Sequence, residues 1–405
     1  MSFRTKRNEI TRQPCLDWRK ILGVSLALLL LSCSHSSSTV AQTAAAAPAT
    51  PEPVPHTREA NDVARFLAGL PGAPDSPFHE LESEPAWILH RRALDQAWAG
   101  IEAKTLPSMR EFQIHELTSG PIPDSVVFYP FSGPDALMLT VFFPRNPTYV
   151  MVALEPVGTL PTPRQLAGKH LARTLEETRV TVSDELHRSF FITRQMDHQF
   201  RGQVTDGLFS PILQLLVRSN HTVLGYRMVR IGEDGKVVAR GVIPPGEIGN
   251  RGVEIEFQTD ADRSIHRLYY FSVNLSDAKM GQNKGFLAYL DTLKGVTTYF
   301  KATSYMTHHA DFSLIRDQVL AKSAGILQDD SGIPYHYFRD QPWRVQLFGE
   351  YVRPYGSFRW LEQPDLRKAY AEPDRKPLNF QIGYGFRRMP SNLLFASKTP
   401  ATRKD

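Results

Sequence analysis

Three short stretches of this 405-residue chain hold residue types able to do chemistry. The first is Phe131-Ser132-Gly133-Pro134-Asp135, with Glu155 further along. It reads as a strand-to-helix junction. Pro134 suits a first helical position, Ser132 or Gly133 can cap, and Asp135 complements the helix dipole. A glycine turn at a helix start can also receive an anion or present a nucleophile. Ser132 and Gly133 are therefore candidate ligand contacts, and Asp135 and Glu155 candidate acid–base groups. The second stretch is Asp329-Asp330-Ser331-Gly332-Ile333-Pro334, followed by Tyr335-His336-Tyr337. Asp329 and Asp330 could share acid and base roles or coordinate a metal. The same composition also makes a turn in which aspartates bond their own backbone. Tyr335 and Tyr337 are candidate contacts for a sugar ring or a peptide. The third stretch, His308-His309-Ala310-Asp311, offers metal-ligand types, with Asp311 equally suited to cap a helix beginning at Phe312.

Other matches carry less. Ser276-Asp277-Ala278-Lys279 fits a Ser-x-x-Lys pattern but has no Lys-Thr-Gly partner. Gly246, Gly249 and Gly252 join strands rather than a strand and a helix, which argues against a dinucleotide fingerprint. No Gly-x-Ser-x-Gly, His-Glu-x-x-His or phosphate-loop motif occurs, and no cofactor is expected.

The elements that must position these residues show in the apolar spacing. Helices are expected over Glu59–Leu70 and Glu84–Lys104, as an N-terminal cap. Ser125–Phe131 and Tyr149–Leu154 read as buried strands flanking a short helix at Pro134–Phe143, the pattern of a parallel βαβ unit. A helix over Pro163–Arg188, a third strand over Ser189–Arg194 and a helix over Gln199–Ser219 follow. From Thr222 to Asn274 the chain becomes β-rich, with a hairpin turn at Glu233-Asp234-Gly235. Helices at Gly285–Leu293 and Phe312–Ser323 then alternate with strands at Val296–Ala302 and Ala324–Gln328, and another strand is expected at Val345–Tyr351. The expected class is α/β: two α/β portions with a mixed or parallel sheet, an antiparallel middle and N-terminal helices. Residues 58–405 form the body, as one domain or as halves of about 58–220 and 221–405. If the sheet is parallel, Ser132, Asp135 and Glu155 share its carboxyl edge, where open α/β sheets bind ligands.

The N-terminus says where such a body works. Arg4, Lys6, Arg7, Arg12, Arg19 and Lys20 precede an apolar run from Ile21 to Leu31. The run falls well short of the roughly 20 residues a spanning helix needs. Leu30, Ser32 and Cys33 resemble the lipobox of bacterial lipoproteins. The resemblance covers this segment alone and implies a signal peptide over 1–32, lipidation of Cys33 and, with Ser34 following, the outer membrane, facing the periplasm. Ser34–Thr57, rich in Ser, Ala and Pro, reads as a disordered tether of about 27 Å.

Processing there would change the charge. The chain carries +5, and residues 1–32 hold six Lys/Arg against two Asp/Glu, leaving +1 for the rest. A near-neutral body gives no electrostatic reason to bind nucleic acid. The two cysteines are Cys15 and Cys33, so the body has no disulfide and relies on its core.

Together, Tyr129-Pro130-Phe131-Ser132-Gly133-Pro134-Asp135, Phe143-Pro144, Leu154-Glu155-Pro156-x-Gly158 and Asp329-Asp330-Ser331-Gly332-Ile333-Pro334 resemble a set shared by uncharacterised exported bacterial proteins. That resemblance implies no activity. The leading expectation is a membrane-anchored protein that binds a small molecule, glycan, peptide or protein partner in the envelope. The alternatives are an envelope hydrolase using the strand-end carboxylates, and an assembly or scaffold lipoprotein.

Overall fold

Side chains alternate across every central strand, and this alternation divides the core into two layers. Along β1 (Val126–Pro130), Val127 and Tyr129 face one layer and Phe128 the other. Along β2 (Thr148–Ala153), Tyr149, Met151 and Ala153 oppose Val150 and Val152 in the same way. A strand apolar on both faces must be covered on both, the condition of parallel sheets. The computed structural model describes residues 53–118, 126–188, 206–241, 248–339, 343–385 and 390–398. Pro53–Asp405 form one unit.

The remaining strands are β3 (His221–Ile231), β4 (Val237–Ala239), β5 (Arg251–Thr259), β6 (Ile265–Ser272), β7 (Val296–Phe300), β8 (Ser323–Gln328), β9 (Trp343–Gly349) and β10 (Asn392–Lys398). All ten lie in one mixed sheet, in the order β4-β3-β5-β6-β2-β1-β7-β8-β10-β9. The five strands β6-β2-β1-β7-β8 pair in parallel. The others add antiparallel extensions at both sides. Numbered by their own succession, the parallel strands run 3-2-1-4-5, the doubly wound order, and the direction of succession reverses between β1 and β7. Helices Arg58–Leu67, Leu106–Phe112, Ala136–Phe142 and Phe209–Arg218 cover one face. Helices Lys284–Thr292, Ser313–Lys322 and Pro364–Ala371 cover the other.

Several expectations change here. The third parallel strand is β6, which pairs antiparallel with β5 on one side and parallel with β2 on the other. The segment Ser189–Arg194 lies outside the described residues, as do residues 1–52. The long helix after Pro163 breaks at Gly168, whose φ of 67° lies in the left-handed region. Of the helix expected over Gln199–Ser219, residues 199–205 lie outside the described residues, and the described part is helical over Phe209–Arg218, because residues 206–208 are committed elsewhere. Leu208 N–H donates to the Pro156 carbonyl, Phe209 N–H to that of Val157, and Thr159 to Asp206. Gly207, at φ 111°, allows this close approach, and Gly158 opposes it at φ 79° with no room for a Cβ beside the Asp206 carbonyl. Asp311 does not cap the helix at Ser313–Lys322. Asp277 does so from another element, accepting from the N–H groups of Ser313 and Leu314 at 3.1 and 2.9 Å.

Beneath the cap, the His90 ring is wholly buried and bonded to the Leu67 carbonyl at 2.8 Å. Burial pushes its pKa down to about 4. His90 stays neutral in the fold, whereas in the unfolded chain it takes a proton below about 6.5. The unfolded state therefore binds more protons between those values, and stability falls as pH drops through that window. Thermal unfolding followed across pH 4–7 should show this, and His90→Gln should flatten the acid limb by one proton's worth. An unchanged slope would mean that His90 is already charged in the fold.

Candidate active site at the switch point

Parallel pairing brings the ends of β1, β2, β7 and β8 to a single edge, and each is followed within two residues by a polar or charged group. Ser132 N–H extends the β1–β2 ladder to the Val152 carbonyl. Phe131 turns the chain at φ 60° and Gly133 at 54°. Asp135 then caps helix Ala136–Phe142, its Oδ1 accepting from Met138 N–H at 3.1 Å. Its Oδ2 accepts from Tyr129 OH at 2.9 Å and meets Lys301 Nζ at 2.6 Å. Lys301 is the first residue after β7, so this ion pair spans the point where the strand order reverses. Asp135 is 1 % exposed and Lys301 4 %, which makes the pair a core element.

Asp329 follows β8. Its Oδ2 accepts from Ala302 N–H at 2.8 Å, and its Oδ1 from Ser331 N–H and Oγ. Asp330 points the other way along the backbone. Its carboxylate accepts from Tyr305 OH at 2.5 Å and from the Asn392 amide of β10 at 3.3 Å. Its backbone is held by Asn392 Oδ1 and Gln363 Nε2. Burial raises the proton affinity of both carboxyls, with the nearby Lys301 ammonium opposing this at Asp329. For Asp330, burial and the Asp329 charge together push the pKa up to about 7.

The loop joining β7 to the next helix is strained. Ala302, Ser304 and Tyr305 have φ of 49°, 55° and 57°, a region costly for side-chain-bearing residues. Its successive backbone amides are held by Asp329 on Ala302 N–H, Ser331 Oγ on Thr303 N–H, and Tyr384 OH accepting from Ser304 N–H. Tyr384 follows Gly383, at φ 57°, where a Cβ would fall onto the Asp329 carboxylate. Aromatic rings rim this loop. Tyr305 stacks on Tyr384 at 5.8 Å and lies 5.2 Å from Phe358, and His309 meets Trp360 at 5.3 Å. Trp360 is 69 % exposed.

The expected site residues are thus partly gathered. Asp135, Asp329 and Asp330 share one edge and are linked through Lys301 and the β7 loop. Glu155 stands one strand away at the end of β2, nine-tenths buried, its carbonyl taken by Tyr270 OH at 2.6 Å. Ser132 is buried with Oγ donating to its neighbour's carbonyl at 2.9 Å. At the helix start after Gly133, the Asp135 carboxylate itself supplies the negative charge that caps the first turn. Tyr335 and Tyr337 lie on a single turn packed on the second core layer, Tyr337 beneath the Arg316 guanidinium at 4.6 Å. His308 is largely buried against Tyr305, and burial pushes its pKa down to about 4. Among the described residues, no three His, Cys, Asp or Glu converge to hold a metal. A cavity of about 20 Å³ at the opposite edge, beside Gln113, Phe142 and Asn146, has room for about one water.

Lys301, Tyr305, Tyr384 and Asn392 were not singled out by residue type. Position alone would have found Lys301: like Glu155 and Asp329, it is among the first polar residues after a buried strand. No protein-family model, curated protein or solved structure matches this chain. What defines it is the geometry: a doubly wound α/β protein with a buried charge network at its switch point.

The Asp135–Lys301 pair gives a direct test. Lys301→Met leaves a carboxylate buried without its cation and should cost about 3–5 kcal/mol in denaturant unfolding. Adding Asp135→Asn should recover a large part of that loss. A single-variant cost below about 1 kcal/mol would show that the pair is solvated rather than sealed.

Proposed function

We propose that this is a lipid-anchored outer-membrane protein, facing the periplasm, that binds a ring-bearing ligand such as a glycan at the switch-point edge without turning it over. The observation that carries the reading is the meeting of the Asp135–Lys301 pair and the strained Ala302–Tyr305 loop where the strand order reverses. Backbone strain held by several contacts is characteristic of binding and catalytic sites, and doubly wound sheets take their ligands at this crevice. Binding fits better than turnover because protein donors already engage the carboxylates of Asp135, Asp329 and Asp330. Aromatic faces at Phe358, Trp360 and Tyr384 suit an apolar ring face, with Ser304 and Arg359 as polar neighbours. A phosphate is a poor occupant beside Asp135, because like charges repel. The anchor rests on Leu30-Leu31-Ser32-Cys33 after its basic and apolar run, and on the tether behind it. No helix of the described residues is long and apolar enough to cross a membrane.

A hydrolase is the second reading, and one observation favours it. Asp330, pushed up to about 7, has the proton affinity of a general acid at neutral pH.

Two measurements separate these ideas. Indole fluorescence titrated with chitotriose should change saturably in the native chain and at least tenfold more weakly in Trp360→Ala. No saturable response to sugars, nucleosides or short peptides would remove the binding reading, whereas product release sensitive to Asp330→Asn would install the hydrolase. Cys33→Ala should move the protein from the membrane to the soluble periplasmic fraction, and unchanged membrane retention would remove the anchor.

A further inference from the structure

We propose that Asp329 and Asp330 share a single proton, and that losing it to water loosens the Ala302–Tyr305 loop, so that the switch-point edge is closed in mildly acid medium and open in alkaline medium. The geometry carries this. Two consecutive carboxylates lie in the interior, 2 % and 4 % exposed, and between them they fasten both ends of one strained loop. Asp329 holds Ala302 N–H, and Asp330 holds Tyr305 OH. The donors on Asp330 are a phenol and an amide, both neutral. One cation, Lys301, lies near Asp329, and Asp135 already shares it at 2.6 Å. With one proton present, the dyad carries a single negative charge opposite that shared cation. With none, two neighbouring anions lie in a dry interior and repel, which is costly unless water enters. The easiest part of the surroundings to give way is the loop, because releasing it also releases its backbone strain.

The groups around the dyad do not titrate in the same range. Tyr305, from the β7 loop, is raised by burial and by Asp330. Tyr351, beyond β9, and Tyr384, after Gly383, are both pushed up to about 12, chiefly by burial. Tyr370, from helix Pro364–Ala371, is raised well above its usual value by burial. His308, whose ring lies by the Gly332 carbonyl, is pushed down to about 4. Of these groups, the dyad is therefore the one that changes charge between pH 5 and 9, and burial with the Asp329 charge places the release near neutrality. The sign follows. The folded-state pKa of Asp330 is raised, so its contribution to stability is complete below about 3.9, the unfolded value, and is lost as pH rises through about 7.

The loop carries its own reporters. The amides of Ala302, Thr303 and Ser304 are each bonded within this network. Hydrogen exchange of the native chain, corrected for the intrinsic pH dependence of exchange, should show their protection falling at least tenfold between pH 6 and 8.5. Amides in the β1–β2 ladder should keep theirs. Asp330→Asn, a neutral isostere, should hold loop protection constant over that range. If this variant does not fold, Asp329→Asn serves: without the neighbouring charge, the remaining carboxyl ionises lower and the step leaves the pH 6–8.5 window. Loop protection independent of pH in the native chain would overturn the proposal. So would the same step persisting in both variants, since another group would then be its source.

Discussion

Charge buried at the carboxyl edge of a parallel sheet is the constraint on which the rest of this structure turns. Lys301 and Asp135 lie almost wholly inside the protein, and each is tolerable there only because of the other. Their contact at 2.6 Å fixes the end of β7 against the start of the helix after β1. Around it, Tyr129 both bonds Asp135 and packs on Tyr299 at 4.6 Å, joining polar and apolar packing in one side chain. A hydrophobic pair of similar volume would fill the same space, but it would leave the helix start without its cap and the adjacent Asp329 without a nearby cation. The ion pair therefore specifies one arrangement of the switch point more than it adds stability.

This explains how unlike neighbours share one edge. Asp329 acts locally, bonding Ser331 in the way aspartates do in turns, and also reaches Ala302 on the next strand's loop. Asp330, one residue on, faces β10 and Tyr305 instead. The alternation that sorts apolar side chains into two layers continues past the strand end and sends two acids to two different tasks.

Much of the architecture was legible in the sequence, because β1, β2, β7 and β8 are short apolar runs ended by polar residues, with segments of helical composition between them. The shared carboxyl edge of Ser132, Asp135 and Glu155 followed from that βαβ pattern. What escaped was long-range. Nothing in Ile265–Ser272 distinguishes a strand that pairs antiparallel on one side and parallel on the other, so β6 read only as part of the β-rich middle. Strand β10 lies after a stretch crowded with Pro, Gly and Arg, where no period stands out. Helix ends misled where a distant residue takes over a local role, as Asp277 does for Ser313. The partners of the acids escaped for the same reason, since Lys301 and Asn392 meet them only through the sheet.

Strand order also bears on when this protein can become itself. Val127 pairs with Thr297, and Thr148 with Arg267. The innermost strand thus waits for a partner that lies far along the chain, and the Asp135–Lys301 pair cannot form until β7 has been made. Non-local pairing of this kind slows folding. A ribosome releasing the first half exposes a βαβ segment whose outer neighbours do not yet exist, and whose future lysine is still unmade. Under the proposed export, such delay would be useful: the wiring of the sheet itself would keep the chain loose while it crosses a membrane.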